Sequence, residues 1–210
     1  ENGYVPTKLF AVRSKTNFVN SSMYSKIEHE EIVYNGIEKM DCALWLDSQR
    51  PFDVESRRVC ERLTHDEKTH LLTQYKNNAN VSENVCLKKG ALVMCTYNVD
   101  VELGICNGSQ GVIVDFVQSS KNDCKIPVVA FNHGIRSAID FQFYQCEDFP
   151  CLAIGQIPLC LAWALTIHKI QGATLKDADI DLGNSVFEFG QSYVGLSRVK
   201  SLEGLYLSAF

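Results

Sequence analysis

From Leu159 to Leu165 the chain is uninterruptedly apolar, and at Thr166 it becomes a dense polar cluster, Thr166-Ile167-His168-Lys169-Ile170-Gln171-Gly172-Ala173-Thr174. An apolar run of this kind, opening at Ile157, reads as one strand buried on both faces, the condition of a parallel sheet covered by helices. It is far short of the roughly 20 apolar residues that a membrane-spanning helix needs. The cluster places hydroxyl, imidazole, ammonium and amide groups at the strand's end, where open α/β sheets present their ligand clefts and where phosphate oxygens find donors.

The same texture recurs elsewhere. Residues 7–12 read as a strand, and Ser14 is placed to cap a helix carrying Phe18, Val19, Met23 and Ile27 on one side. Residues 52–75 have helical spacing, and Thr64-His65-Asp66-Glu67 has the capping-box pattern that opens a second helix with Leu71, Leu72 and Tyr75 inward. Residues 178–182 read as another strand. Between these parts lie short β-like runs at 91–97, 111–117, 127–131 and 135–143, separated by turn signals such as Asn107-Gly108 and Asn132-His133-Gly134. The expected architecture is therefore an α/β domain formed by residues 1–86 and 151–210, interrupted by a small all-β barrel at residues 87–150.

Lys and Arg number 20 against 25 Asp and Glu, a formal net charge of −5. Bulk positive charge is excluded as a means of wrapping nucleic acid, although a local basic groove is not. The nine cysteines, Cys42 among them, are odd in number and include no Cys-x-x-Cys pair, so they are expected to be reduced, mostly buried thiols of an intracellular protein. The Asn-x-Ser triplets at Asn20, Asn80 and Asn107 are expected to be incidental. His65 and His70, five apart on a helix, diverge, and no metal site is expected. Trp45 and Trp163 are expected in the core.

A second polar segment, Gly190-Gln191-Ser192-Tyr193-Val194-Gly195-Leu196-Ser197-Arg198, reads as a short helix with Tyr193, Val194 and Leu196 turned partly inward. Arg198 stands at its end, where a guanidinium could reach phosphate or serve the helix dipole or a carboxylate. Asn107-Gly108-Ser109-Gln110-Gly111 reads as a hairpin turn that needs a positive φ.

The stretches IPLCLAWALTIHKIQGATL and DLGNSVFEFGQSYVGLSRVKSLEGLYL resemble the last motifs of the petite-integration-frequency (PIF) family of superfamily 1 DNA helicases. TKLFAVRSKTNFVN resembles that family's motif at the start of the second RecA-like domain, and LKKGALVMCTYNVDVELGICNGSQGVIVDF resembles its SH3-like inserted domain. The resemblance implies a RecA-like parallel-sheet domain over 1–86 and 151–210 and an SH3-like barrel over 87–150.

In that family ATP, with Mg²⁺, binds between two RecA-like domains, the first supplying a phosphate loop and the second reaching across with arginines. The sequence contains no G-x-x-x-x-G-K-S/T, so the resemblance implies the C-terminal half of an ATP-dependent helicase moving 5′ to 3′, inactive in ATP hydrolysis by itself. Its partners would be single-stranded DNA and the first RecA-like domain of the same natural chain, in the nucleus or another DNA-containing compartment. Arg198 matches the arginine finger, and Arg13 a second arginine near the γ-phosphate. Thr166, His168 and Lys169 match positions near the DNA backbone, with Asn107 a further DNA-side candidate. Gln171 and Gly172 match positions coupling DNA to nucleotide, and Gln191 and Tyr193 lie on the nucleotide side. Where the family usually has Ser, this chain has Ile170, which removes one hydroxyl. The competing reading is a helicase-derived binding or regulatory module without catalysis.

Overall fold

The computed structural model describes residues 6–41, 54–78, 81–121, 123–183, 186 and 190–209. Cys42, Trp45, Phe52 and Asn80 lie outside them. Along the chain come β1 (Thr7–Phe10), α1 (Arg13–Ser25), β2 (Glu31–Asn35), β3 (Ile37–Lys39), α2 (Val54–Arg62), α3 (His65–Asn78), β4 (Asn84–Lys88) and β5 (Leu92–Cys95). Then follow β6 (Gln110–Gln118), β7 (Lys125–Phe131), β8 (Arg136–Ala138), β9 (Gln142–Gln145), β10 (Ala153–Gln156), β11 (Leu159–Leu161), β12 (Ala164–Thr166), β13 (Ala178–Asp181), α4 (Gln191–Leu196) and β14 (Leu205–Ala209).

Two compact units result. The first takes in Glu1–Ile32, Leu87–Asp140 and Pro158–Phe210, and the second Val33–Cys86 and Phe141–Ile157. The first contains a four-stranded sheet of order β12-β1-β13-β14, parallel throughout, with Lys8 opposite Ala164 and Thr7 opposite Ala178. Its core joins Leu9, Leu165, Ile167, Ile170, Leu175 and Ile180 with Met94 of β5. The antiparallel sheet of the same unit has order β11-β5-β6-β7-β8. Four of its strands come from the segment expected as an insertion, but β11 comes from beyond residue 150.

The apolar run expected as one strand is divided. Its flanking segment forms β10 in the second unit, Leu159–Leu161 joins β5, and only Ala164–Thr166 joins the parallel sheet. An unbroken apolar run carries no period from which such breaks can be read. Pro158, which lacks the N–H a ladder requires, falls between β10 and β11. The expected strand at 135–143 is likewise two, β8 and β9, in different sheets.

The first helix also departs from expectation. It starts at Arg13, not after Ser14, and its N-cap, Val12, makes no side-chain bond. Phe18 is 76% exposed, whereas Thr16 is buried, so the face toward the sheet carries Thr16 and Asn20, one helical turn apart. Asn20 explains why. Its Nδ2 donates to the Ala164 carbonyl at 2.8 Å and its Oδ1 accepts from the Ala164 N–H at 2.9 Å. Ala164 belongs to an edge strand, so its outward backbone groups would otherwise lack partners.

The second unit holds the antiparallel sheet β3-β10-β9 and a core of Cys60, Leu72, Cys151, Leu152 and Ile154. The capping box opens α3 as expected: Glu67 Oε2 accepts from the Thr64 N–H at 2.8 Å, and the Glu67 N–H donates to Thr64 Oγ1 at 3.3 Å. Gln156, buried, brings its Nε2 to the carbonyls of Tyr34, Ser82 and Glu83 at 3.0–3.2 Å. Among the described cysteines, Cys60, Cys95 and Cys151 are buried, Cys86 is exposed and the others are half-buried, fewer in the core than expected. None is disulfide-bonded. Trp163, expected in the core, is half-buried.

Asn20→Ala strips the partners from both Ala164 groups and is expected to lower the unfolding free energy of the chain by about 1–3 kcal/mol. Urea denaturation measures this at unchanged slope, and a change below about 0.5 kcal/mol would mean that water replaces the amide.

Candidate functional site

The strands of the parallel sheet all run the same way, so the segments that follow β1, β12 and β13 emerge at one edge. After β1 come Arg13, Ser14 and Lys15, all exposed in the first turn of α1, with no acidic residue in that turn. Two cations at a helix N-terminus oppose the dipole and are tolerated where an anion offsets them. Asp181, at the end of β13, is such an anion, with its Oδ2 2.6 Å from Lys15 Nζ. The hydrogen bond from Lys15 holds the Asp181 carboxyl below the usual carboxylate range, against burial, with the Gly183 N–H assisting.

After β12 comes the polar cluster. Thr166 is buried, and its Oγ1 accepts from the Lys169 N–H at 3.3 Å, so this hydroxyl shapes the turn. His168, Lys169 and Gln171 are exposed, as is Gly172, which turns the chain at φ 83°. Ile170 is fully buried in the core. The position where a hydroxyl is missing therefore faces inward, and the apolar residue is what the core requires there. Burial raises the pKa of the Cys160 thiol, and the Lys169 ammonium only partly opposes that rise.

The hairpin between β5 and β6 closes on this cluster. Asn107 is exposed and its N–H donates to Asn98 Oδ1 at 2.9 Å. Gly108, at φ 94°, sits so close to the cluster that an added Cβ would lie 2.8 Å from the Ala173 Cβ. Only glycine meets both conditions. A buried chain of bonds ties the same hairpin to β1: Gln110 Nε2 donates to Thr7 Oγ1 at 2.8 Å, and Thr7 Oγ1 donates to the Ala162 carbonyl at 2.9 Å.

Arg198 is placed differently from Arg13. Its carbonyl accepts from the Leu175 N–H, and Val199 bridges Leu175 in parallel, ahead of the N-terminal end of β13. Arg13 follows the C-terminal end of β1, the neighbour of β13, so the two backbones stand at opposite ends of the strands. The half-buried Arg198 guanidinium is held by the Val194 carbonyl at 3.1 Å, Ser197 Oγ at 2.9 Å and the Ala173 carbonyl at 3.5 Å. Gln191 is buried at the start of α4, and Tyr193, expected partly inward, is 75% exposed. Val194 and Leu196 do pack on the core. Lys15, Asp181, Cys160 and Ala173 were not singled out by the sequence. Only a basic pair following a strand hinted at Lys15.

Because the Asp181 carboxyl is held low in the folded chain, the stability it contributes is fully present above the ordinary carboxylate pKa, about 4, and is lost as pH falls through its lower folded value. The difference in urea midpoint between the parent chain and Asp181→Asn is expected to narrow as pH is lowered from 7 through roughly 4 toward 3; a constant difference would assign the effect to packing.

Known proteins resemble this chain in sequence and in fold. Residues 71–116 match the family model described as DNA helicase Pif1, 2B domain. The chain is 43% identical over 132 residues to the ATP-dependent DNA helicase PIF1 of Xenopus laevis, covering 62% of this chain and 20% of that protein. It is 29% identical over 249 residues to the ATP-dependent DNA helicase Pif1 of a Psychrobacter strain, covering 96% of this chain and 33% of that protein. The crystal structure of the Candida albicans Pif1 helicase superposes with a TM-score of 0.63 and 29% identity, over 98% of this chain and 45% of that one. The chain thus spans less than half the length of each of these relatives, and these likenesses support reading it as a C-terminal part of a PIF1-family helicase.

Proposed function

We propose that this chain is the C-terminal motor half of an ATP-dependent DNA helicase that moves 5′ to 3′ on single-stranded DNA. One observation carries the reading: the exposed Lys169 and His168 stand on the same loop whose other end, at Ala173, meets the Arg198 guanidinium. A single loop thus touches both a cationic surface suited to a phosphodiester backbone and an arginine suited to a transferred phosphoryl group. The names of the full-length relatives, ATP-dependent DNA helicases, support it.

In this reading residues 1–86 and 151–210 act as the second RecA-like domain, and 87–150 as an SH3-like insertion. ATP and Mg²⁺ are held mainly by a first RecA-like domain, in a DNA-containing compartment. His168 and Lys169 contact the DNA backbone, joined by Asn107, while Thr166 sets the turn that presents them. Gln171 and Gly172 relay movement toward the nucleotide, with Gln191 and Tyr193 on the nucleotide side. Arg198 is the arginine finger. Arg13, starting from the other edge of the sheet, is the less directly placed of the two arginines. Its permanent charge and exposure suit it to an anion.

In the complete protein, Arg198→Ala is expected to lower the ATPase rate by about 10³-fold or more; a rate within about threefold of the parent would remove Arg198 from the reaction. Lys169→Ala is expected to weaken binding to an oligothymidine and to reduce the slope of log affinity against log salt by about 0.7, one single-strand phosphate contact. An unchanged slope would take Lys169 off the DNA path.

A further inference from the structure

Ala173 is in contact with two parts of the first unit that are far apart in sequence. Its carbonyl accepts from Arg198 Nη1 at 3.5 Å. Its Cβ is the atom that an added Cβ at Gly108 would strike at 2.8 Å, with the Ala173 Cα and the Thr174 nitrogen at 3.4 Å. Ala173 is itself 1% exposed, and its N–H is bonded to the Ile170 carbonyl at 2.9 Å. It therefore has little room to yield when pushed from the Gly108 side, since close-packed interiors transmit displacement rather than absorb it. The hairpin has little freedom either: the Gly108 N–H donates to the Cys95 carbonyl and the Cys95 N–H to the Ser109 carbonyl, each at 2.9 Å.

We propose that the Gly108–Ala173 contact is a positioning device, through which the hairpin of the inserted segment sets where the Arg198 guanidinium points. Gly108 and Ala173 are positioning residues. They touch no reacting group, and their effect on phosphoryl transfer rests on the reading of Arg198 given above. The consequence is a mechanical link from the Asn107 turn, one residue from the contact, to the arginine. A strand of DNA that shifts the turn shifts the guanidinium, and closure of the arginine on an anion pulls on the turn.

Gly134 supplies the control. It turns a hairpin of the same antiparallel sheet at φ 93°, against 94° for Gly108, and an added Cβ there meets nothing within 4 Å. Gly108→Ala and Gly134→Ala thus share the backbone strain, and only the former crowds Ala173. In the ¹⁵N-labelled chain the Arg198 Nε–Hε resonance, assigned by its disappearance in Arg198→Lys, is expected to move in Gly108→Ala and to stay in Gly134→Ala. In the double variant Gly108→Ala/Ala173→Gly, where the struck Cβ is gone, it is expected to return to its place in Ala173→Gly alone. Should Gly108→Ala not fold, Ala173→Ser crowds the same contact from the other side and must move the resonance.

A resonance that stays put in the crowded variant, moves equally in Gly134→Ala, or is not restored by Ala173→Gly overturns the proposal. In the complete protein the same displacement is expected to lower kcat for ATP, by up to about 10²-fold, with KM for ATP little changed relative to Gly134→Ala. If Arg198→Ala leaves the ATPase rate intact, the functional reading fails; the resonance test still decides the mechanical link, because it needs neither nucleotide nor activity.

Discussion

The structure depends on one pairing that the chain can make only late in its length. Strand β1 lies at residues 7–10, and its parallel neighbours lie at residues 164–166 and 178–181. Parallel strands cannot be joined by a hairpin, so everything between them is a crossover. The hydroxyl of Thr7 marks the junction: it donates to Ala162, 155 residues away, and accepts from Gln110, 103 residues away. Three segments remote in sequence meet at one buried oxygen. Contacts of such separation are entropically expensive to close and slow to form, and the shared core of the two sheets offsets that cost only once all three have arrived.

The site follows from the direction of the strands. Because the sheet is parallel, the loops after β1, β12 and β13 open at the same edge. Among the described residues Arg13, Lys15, His168 and Lys169 follow β1 and β12 there and Asp181, paired with Lys15, closes β13, a locally basic edge on a chain whose formal net charge is −5. The loop after β12 then returns past the hairpin at Gly108 to begin β13, which is how it comes to meet Arg198 near the other end of the strands. The exposed His168 and Lys169 and the carbonyl that meets the Arg198 guanidinium thus lie within nine residues of one another, Thr166 to Thr174.

What the sequence disclosed was chiefly local. The Thr64–Glu67 capping box, β13, the left-handed turn at Gly108 and the exposure of His168 and Lys169 all depend on near neighbours, and each stands where local pattern put it. What it hid depends on distant partners. Asn20, dismissed as part of an incidental triplet, is bonded to a backbone 144 residues away, and no local pattern distinguishes that amide from one in solvent. Phe18 is apolar and by pattern belongs inward, but the inner face of α1 carries Thr16 and Asn20, and Phe18 faces solvent. The apolar run before Thr166 hid its division between two sheets because continuous burial has no period. Ile170 illustrates the converse: read against the family it was a lost hydroxyl, yet the core around it requires an apolar side chain.

The central claim is that this chain grips single-stranded DNA with the basic loop edge of its parallel sheet. The direct measurement is fluorescence anisotropy of a labelled oligothymidine titrated with the 210-residue chain at two salt concentrations, with a matched duplex alongside. The account predicts binding that weakens as salt rises and favours the single strand. No binding at low salt, or equal affinity for the duplex, would contradict it.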